Sequence, residues 1–162
     1  LKNKNNNCIL DASGFEPLYN NFKLENLPKN CILTPHLGEF KKIFPEVDIE
    51  NPITACENIV KRLDKRVLIL KGPSTIIITT TGKYYILNHG NSLLATAGSG
   101  DVLSGIILGL LAKGYEIDIA AILGVYIHGL CSIRHFRKNS RHSMLARDII
   151  KILPGCLNEA IS

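Results

Sequence analysis

Asp101 ends the segment TAGSGD, residues 96–101, and the apolar run VLSGIILGLLAKGY follows at once. The first amides of a helix lack intrahelical partners and carry partial positive charge, so a glycine-rich stretch leading into a helix suits an anion. On that reading the amides of Gly98, Ser99 and Gly100 form an anion hole for a transferred phosphate. Asp101 beside them orients a hydroxyl and accepts its proton as the phosphoryl bond forms. The plainer alternative stays open: two glycines for a tight turn, and Ser99 or Asp101 as an ordinary helix cap worth ~1 kcal/mol. The segment matches neither GxxxxGK[ST] nor GxGxxG.

Two other stretches combine polar groups with strand ends. Lys71, Gly72, Pro73, Ser74 and Thr75 read KGPST after the run RVLIL. They make either a plain β-turn or a turn whose amides and Thr75 hydroxyl meet a nucleotide's phosphates. TPHLGEF, residues 34–40, sets His36 three residues before Glu39. The pair either faces across a tight loop or marks a helix start, with Glu39 where a carboxylate is favoured and His36 partly exposed. His128 lies inside an apolar helical run and reads as a hydrogen-bonded core residue, and His89 as a loop residue. No local signature suggests a Ser-His-Asp arrangement.

The elements that must position these groups follow from length and pattern. With 162 residues, 46% of them hydrophobic and 20% charged, the chain suits a single globular domain. Its apolar runs are interrupted short of the ~18 residues a membrane span needs. The polar start LKNKNNN carries no signal peptide, which suggests a cytoplasmic protein. Net charge is +5. The basic run Arg134 to His142 reads as a solvated helix end and loop rather than a nucleic-acid surface, with only Phe136 as an aromatic platform. Five cysteines at wide spacings, with no CxxC, read as buried thiols rather than disulfides or a zinc site.

Strand-like and helix-like segments alternate. Strands are expected over 6–12, 30–36 and RVLILKG, then a hairpin from TIIITTTG and KYYIL. Helices are expected over GEFKKIF and from Pro52 with Asn51 as cap, where Ile53, Cys56, Ile59, Val60 and Leu63 share a face. Further helices run from Asp101 to Lys113, closed by Gly114, and over IAAILGVYIHGLCSIRHF with Asp118 as cap. MLARDIIKIL is a last amphipathic helix, broken at Pro154-Gly155. Alternation of this kind predicts an α/β fold, a mostly parallel sheet flanked by helices with an antiparallel hairpin. Ligands in such folds collect at the C-terminal ends of strands, where Asp11, His36, Lys71 and TAGSGD all fall.

Taken in order, ILDASGF, CILTPHLGEF, VLILKGPSTIII, NHGNSLLATAGSGDVLSGIILGLLAKGY, AAILGVYIHGL and ARDIIKILP resemble the ADP- or ATP-dependent NAD(P)H-hydrate dehydratases of the ribokinase-like superfamily. The resemblance implies a lyase that repairs hydrated NADH and NADPH: ADP or ATP, with Mg2+, phosphorylates the ring hydroxyl and the phosphate is eliminated. It implies Asp101 as base and substrate contact, an anion hole at Gly98, Ser99 and Gly100, and Gly100 also at the nucleotide. It further implies nucleotide phosphates at Lys71 to Thr75, substrate at His36, and an indirect part for Glu39 in organising magnesium. A homo-oligomer acting on a small molecule, without nucleic acid or membrane, is implied as well. The chain departs from the family at Leu37, usually proline, at Ser13, usually aspartate, at Ser92-Leu93, usually proline-glycine, and at Ala97, often glycine. It also matches the C-terminal part of a longer catalytic domain, so residues 1–162 are expected to be one partial domain whose exposed sheet edge needs a cover. The alternatives are another ribokinase-like kinase of vitamin precursors and a non-catalytic nucleotide-binding fragment.

Overall fold

Short apolar runs set the sheet. In the computed structural model, which describes residues 7–20, 23–88, 92–138 and 143–161, five strands form: β1 (Cys8–Leu10), β2 (Cys31–Leu33), β3 (Val67–Leu70), β4 (Thr75–Ile78) and β5 (Tyr84–Leu87). They make one sheet in the order β1-β2-β3-β4-β5. The first three are parallel, and β4 returns antiparallel to β3. β5 follows through a turn in which the Thr79 N–H donates to the Lys83 carbonyl at 2.8 Å and Gly82 adopts φ +80°. The expected hairpin is therefore present in a mixed sheet.

β1 and β2 are shorter than the expected 6–12 and 30–36. The Asp11 carboxylate accepts from the Ala12 amide and starts a 3-10 turn (Ala12–Phe15), while His36 caps the next helix. Both residues end their strands by serving the following turn.

Contacts divide the chain into two compact units, Leu1–Ile86 and Leu87–Ser162. In the first, α1 (Glu16–Tyr19), α2 (Leu37–Ile43) and α3 (Pro52–Leu63) accompany the strands. Cys31, Leu33, Leu68, Leu70, Ile76 and Ile78 pack on one face of the sheet with Phe40, Phe44, Ile59 and Leu63. The alternate residues Ile32, Val67, Ile69 and Ile77 are buried too, so these strands read as continuous apolar runs. Asn51 caps α3 by accepting from the Ile53 and Thr54 amides. Ile53, expected on the buried face, is 38% exposed, and Ala55 is buried instead. Arg66, 1% exposed, ties the junction of α3 and β3 to the preceding loop by donating to the carbonyls of Leu63, Glu25 and Leu27.

The second unit is helical: α4 (Ser99–Ala112), α5 (Ile117–Lys138) and α6 (Ala146–Ile161). α4 starts two residues earlier than expected. It closes in a Schellman arrangement, with Gly114 at φ +90°, Gly114 N–H on the Leu111 carbonyl and Tyr115 N–H on that of Leu110. α5 starts before Asp118, which lies in its first turn rather than at the cap, because the Glu116 carbonyl already takes the Ala120 amide. α5 is also long and apolar enough, by length and composition, to cross a membrane. Here it packs on both α4 and α6 and buries residues from Ala120 to His135.

α6 does not break at Pro154-Gly155. Proline removes only the hydrogen bond to the Ile150 carbonyl, on a side where Ile150 and Pro154 are exposed. The buried stripe of Ile149 and Cys156 continues across it, and at Gly155 the missing Cβ leaves room for the Arg134 guanidinium, which would otherwise lie 2.7 Å away. Arg134 also pairs with Glu159, and Phe136 and Arg137 are exposed, but His135 is buried with its Nε2 2.9 Å from the Ser143 carbonyl; residues 139–142 lie outside the described residues.

The five cysteines are free thiols; Cys8 is half-buried and the others are buried. Burial pushes the Cys56 thiol up to about 12.

α4 and α5 approach closely at Gly124, where a Cβ would lie 2.5 Å from Ile107 Cγ1. Gly124→Ala should therefore destabilise the chain by about 1–3 kcal/mol in chemical denaturation. Gly109→Ala, where nothing stands within 4 Å of the added carbon, should stabilise it by about 1 kcal/mol.

Candidate active site

Parallel pairing continues past the ends of the strands and aligns three polar side chains. The Thr34 amide and hydroxyl both donate to the Leu10 carbonyl, at 3.1 and 3.2 Å, tying the end of β1 to that of β2. The Lys71 amide donates to the Pro35 carbonyl at 2.8 Å, and His36 and Lys71 form a parallel bridge that ties β2 to β3. Asp11, His36 and Lys71 thus stand in one row at the C-terminal strand ends.

Within the row Lys71 Nζ donates to Asp11 Oδ1 at 2.9 Å, in a pair with side chains 24% and 15% exposed. This contact was not foreseen. Its only signal in the sequence was a charged residue closing each of two apolar runs. The ammonium is held beside the exposed turn of Gly72, Pro73 and Ser74, with Thr75 half-buried behind it. A lysine fixed by one carboxylate keeps two further N–H groups for an anion.

His36 and Glu39 form a reciprocal capping box on α2. The Glu39 amide donates to His36 Nδ1 at 3.1 Å, and the His36 amide donates to Glu39 Oε2 at 2.8 Å. With Nδ1 accepting, the neutral ring carries its proton on Nε2, 3.6 Å from Glu39 Oε1. The ring is 60% exposed, whereas Glu39 is only 14% exposed. The helix-start reading holds: the pair caps α2 and leaves the ring edge of His36 at the surface. Gly38 makes this possible, since a Cβ there would stand 3.0 Å from the imidazole.

In the second unit, the start of α4 settles one alternative. The N-cap is Gly98 in the left-handed region, φ +81°, and no side chain caps the helix. Neither Ser99 nor Asp101 is the ordinary cap considered above. Ser99 is 3% exposed; its hydroxyl is 3.0 Å from His128 Nε2 on α5, and its amide donates to the Thr96 carbonyl. Ser99 therefore anchors the loop, and His128 is the hydrogen-bonded core residue expected. Asp101, in the first turn, is exposed. It lies at one end of a groove of about 880 Å³ between α4 and α6, with Lys113 at the other end and Ile106, Leu110, Leu153 and Leu157 along it. His89 lies outside the described residues. Among the described residues, no three or more of His, Cys, Asp or Glu gather as metal ligands.

A family model described as NAD(P)H-hydrate dehydratase matches residues 1–155. The bifunctional NAD(P)H-hydrate repair enzyme Nnr of Dictyoglomus turgidum is 39% identical over 136 residues, 82% of this chain and 26% of that protein. The crystal structure of the ADP/ATP-dependent NAD(P)H-hydrate dehydratase from Bacillus subtilis, co-crystallised with ATP/Mg2+ and soaked with CoA, aligns with a TM-score of 0.70 at 33% identity. That alignment covers 80% of this chain and 49% of the other. A ribokinase-like superfamily protein from Enterococcus faecalis V583 aligns with a TM-score of 0.83 at 28% identity, over 98% of this chain and 54% of that one. The chain thus spans about a quarter of the first relative and about half of each solved structure. The fold is ribokinase-like, and the chain belongs to the NAD(P)H-hydrate dehydratase family.

Proposed function

We propose that the chain serves the nucleotide-dependent dehydration of hydrated NADH and NADPH. The observation that carries this reading is the start of α4, a helix N-terminus without a side-chain cap and with an exposed carboxylate in its first turn. A ring hydroxyl gives its proton to Asp101 while its oxygen bonds the terminal phosphorus of ADP or ATP, and the shortened nucleotide leaves. Phosphate then departs with a proton from the neighbouring ring carbon, which restores the ring double bond.

The backbone around Gly98 and Gly100 receives the phosphoryl charge, with Gly100 also meeting the nucleotide; Ser99 contributes by holding that backbone in place. Lys71 and the turn of Gly72, Pro73, Ser74 and Thr75 hold the nucleotide's phosphates, and the exposed Nε2 edge of His36 meets the substrate. Magnesium enters this reading as the companion of the nucleotide. Glu39, whose two oxygens already face His36, acts on the ion through water. The same reading expects a cytoplasmic homo-oligomer acting on a small molecule, with no nucleic-acid or membrane partner.

Hydrated NADH incubated with ADP or ATP and magnesium should regain the absorbance of the reduced nicotinamide. Asp101→Asn should lower kcat by about 10²–10⁴-fold while leaving nucleotide affinity unchanged. A variant within threefold of the parent would overturn the assignment. Lys71→Met should weaken nucleotide binding by roughly 10–100-fold in calorimetry, as loss of a hydrogen bond from a charged group does. Nucleotide consumption with a thiazole or pyrimidine alcohol, and none with the hydrate, would assign a vitamin-precursor kinase instead. ADP binding without turnover of any alcohol would assign a non-catalytic binder.

A further inference from the structure

The N-terminal ends of the three parallel strands gather reactive groups that the proposed reaction leaves unused. Cys8 opens β1, Cys31 opens β2, and the two stand directly opposite in the parallel register. Neighbouring strands run about 4.8 Å apart, within the Cα separation of about 4.4–6.8 Å that a disulfide spans. Cys31 acts on the Cys8 sulfur from across the strands, while its own thiol donates to the Ile32 carbonyl at 3.9 Å. Cys31 is fully buried, whereas Cys8 is half-buried on the strand at the edge of the sheet. Arg66, immediately before β3, brings a guanidinium whose charge acts on both sulfurs. Its Nη atoms donate to backbone carbonyls, with Nη1 also 3.7 Å from Asp64 Oδ2, and its Nε is buried without a partner. A cysteine with a nearby cation and access to solvent is a reactive one.

We propose that Cys8 and Cys31 form a hydroperoxide-sensitive dithiol in which Cys8 is oxidised and Cys31 closes a disulfide. The Cys8 thiolate attacks the outer peroxide oxygen, the O–O bond breaks, and Cys8 becomes a sulfenic acid while water or an alcohol leaves. The Cys31 sulfur then attacks the Cys8 sulfur, forming the S–S bond; the sulfenic oxygen leaves as water with the Cys31 proton. One peroxide is reduced and two thiols are oxidised.

The order of attack follows from the surroundings. Cys31 beside it lowers the Cys8 pKa to about 7 against the opposing effect of burial, and Arg66 adds to the lowering. Cys31 is pushed up by Cys8 beside it and by its own burial. Once Cys8 is oxidised its negative charge is gone while Arg66 remains, so Cys31 ionises more readily in time for the second step. Cys131 and Cys156 are also neighbours, in α5 and α6, but both are fully buried. They serve as the internal control.

The two sulfurs fall in separate tryptic peptides, Asn5–Lys23 and Asn30–Lys41. The full chain is treated with hydrogen peroxide, its remaining thiols are blocked, and it is digested without reductant. The expected product is a cross-link between these peptides, two hydrogens lighter than their sum, with Cys131 and Cys156 still blocked as thiols. In Cys31→Ser the sulfenic acid of Cys8 should persist and be trapped by dimedone. Should that variant not fold, alkylation of Cys8 in the unaltered chain decides the matter: half-maximal reactivity is expected near pH 7. Reactivity rising only near the ordinary thiol value of about 8.5 would overturn the proposal. So would a peroxide-treated chain in which Cys8 and Cys31 both remain alkylatable.

Discussion

The backbone of Gly98 is the constraint on which the start of α4 depends. Its φ of +81° lies where an L side chain is strained, and an added Cβ would also stand 3.2 Å from Ala146 on α6. Turning the chain there sends the Ser99 side chain into the interior, where His128 meets it. The usual N-cap hydroxyl is thus spent on another helix. The amides that a cap would satisfy stay available to a ligand, and Asp101 one turn further is left at the surface. A negative group at a helix N-terminus is favourable without any ligand. What sets this one apart is that it lies beside donors left uncapped by a deliberate left-handed turn.

The parallel strands are organised on a similar economy of contacts. Three bonds at their ends, two from Thr34 to Leu10 and one from Lys71 to Pro35, keep the register until side chains take over. At one end of the sheet the result is the row of Asp11, His36 and Lys71. At the other it is the group of Cys8, Cys31 and Arg66. Strand pairing that is interchangeable along its apolar middle therefore produces two chemically different edges. The middle itself, buried on both faces, supplies the rigidity.

Much of this was legible in the sequence because the signals are local. Apolar runs of four gave the strands, Asn51-Pro52 gave the start of α3, and Gly114 gave the end of α4. The same logic failed at Pro154-Gly155, where local breakers were outweighed by a buried stripe that continues on both sides. It failed again at Asp118, because the carbonyl of Glu116, two residues earlier, had already begun the helix. Within the candidate site the residue types were readable, but the pairings were not. Asp11 with Lys71, and Ser99 with His128, join residues far apart in the chain, and no spacing rule reaches that distance. His36 with Glu39 is the exception, since a separation of three is itself the capping signal.

The central claim is that the first amides of α4 receive a phosphoryl group. It is tested most directly by amide resonances of the isotopically labelled chain during titration with ADP and magnesium, followed by aluminium fluoride as a mimic of the transferred group. The account predicts that Gly100 and Asp101 shift only when the mimic is added, after Lys71 to Thr75 have already responded to ADP. Unmoved resonances at 98–101, with the mimic bound and Lys71 to Thr75 responding, would contradict it.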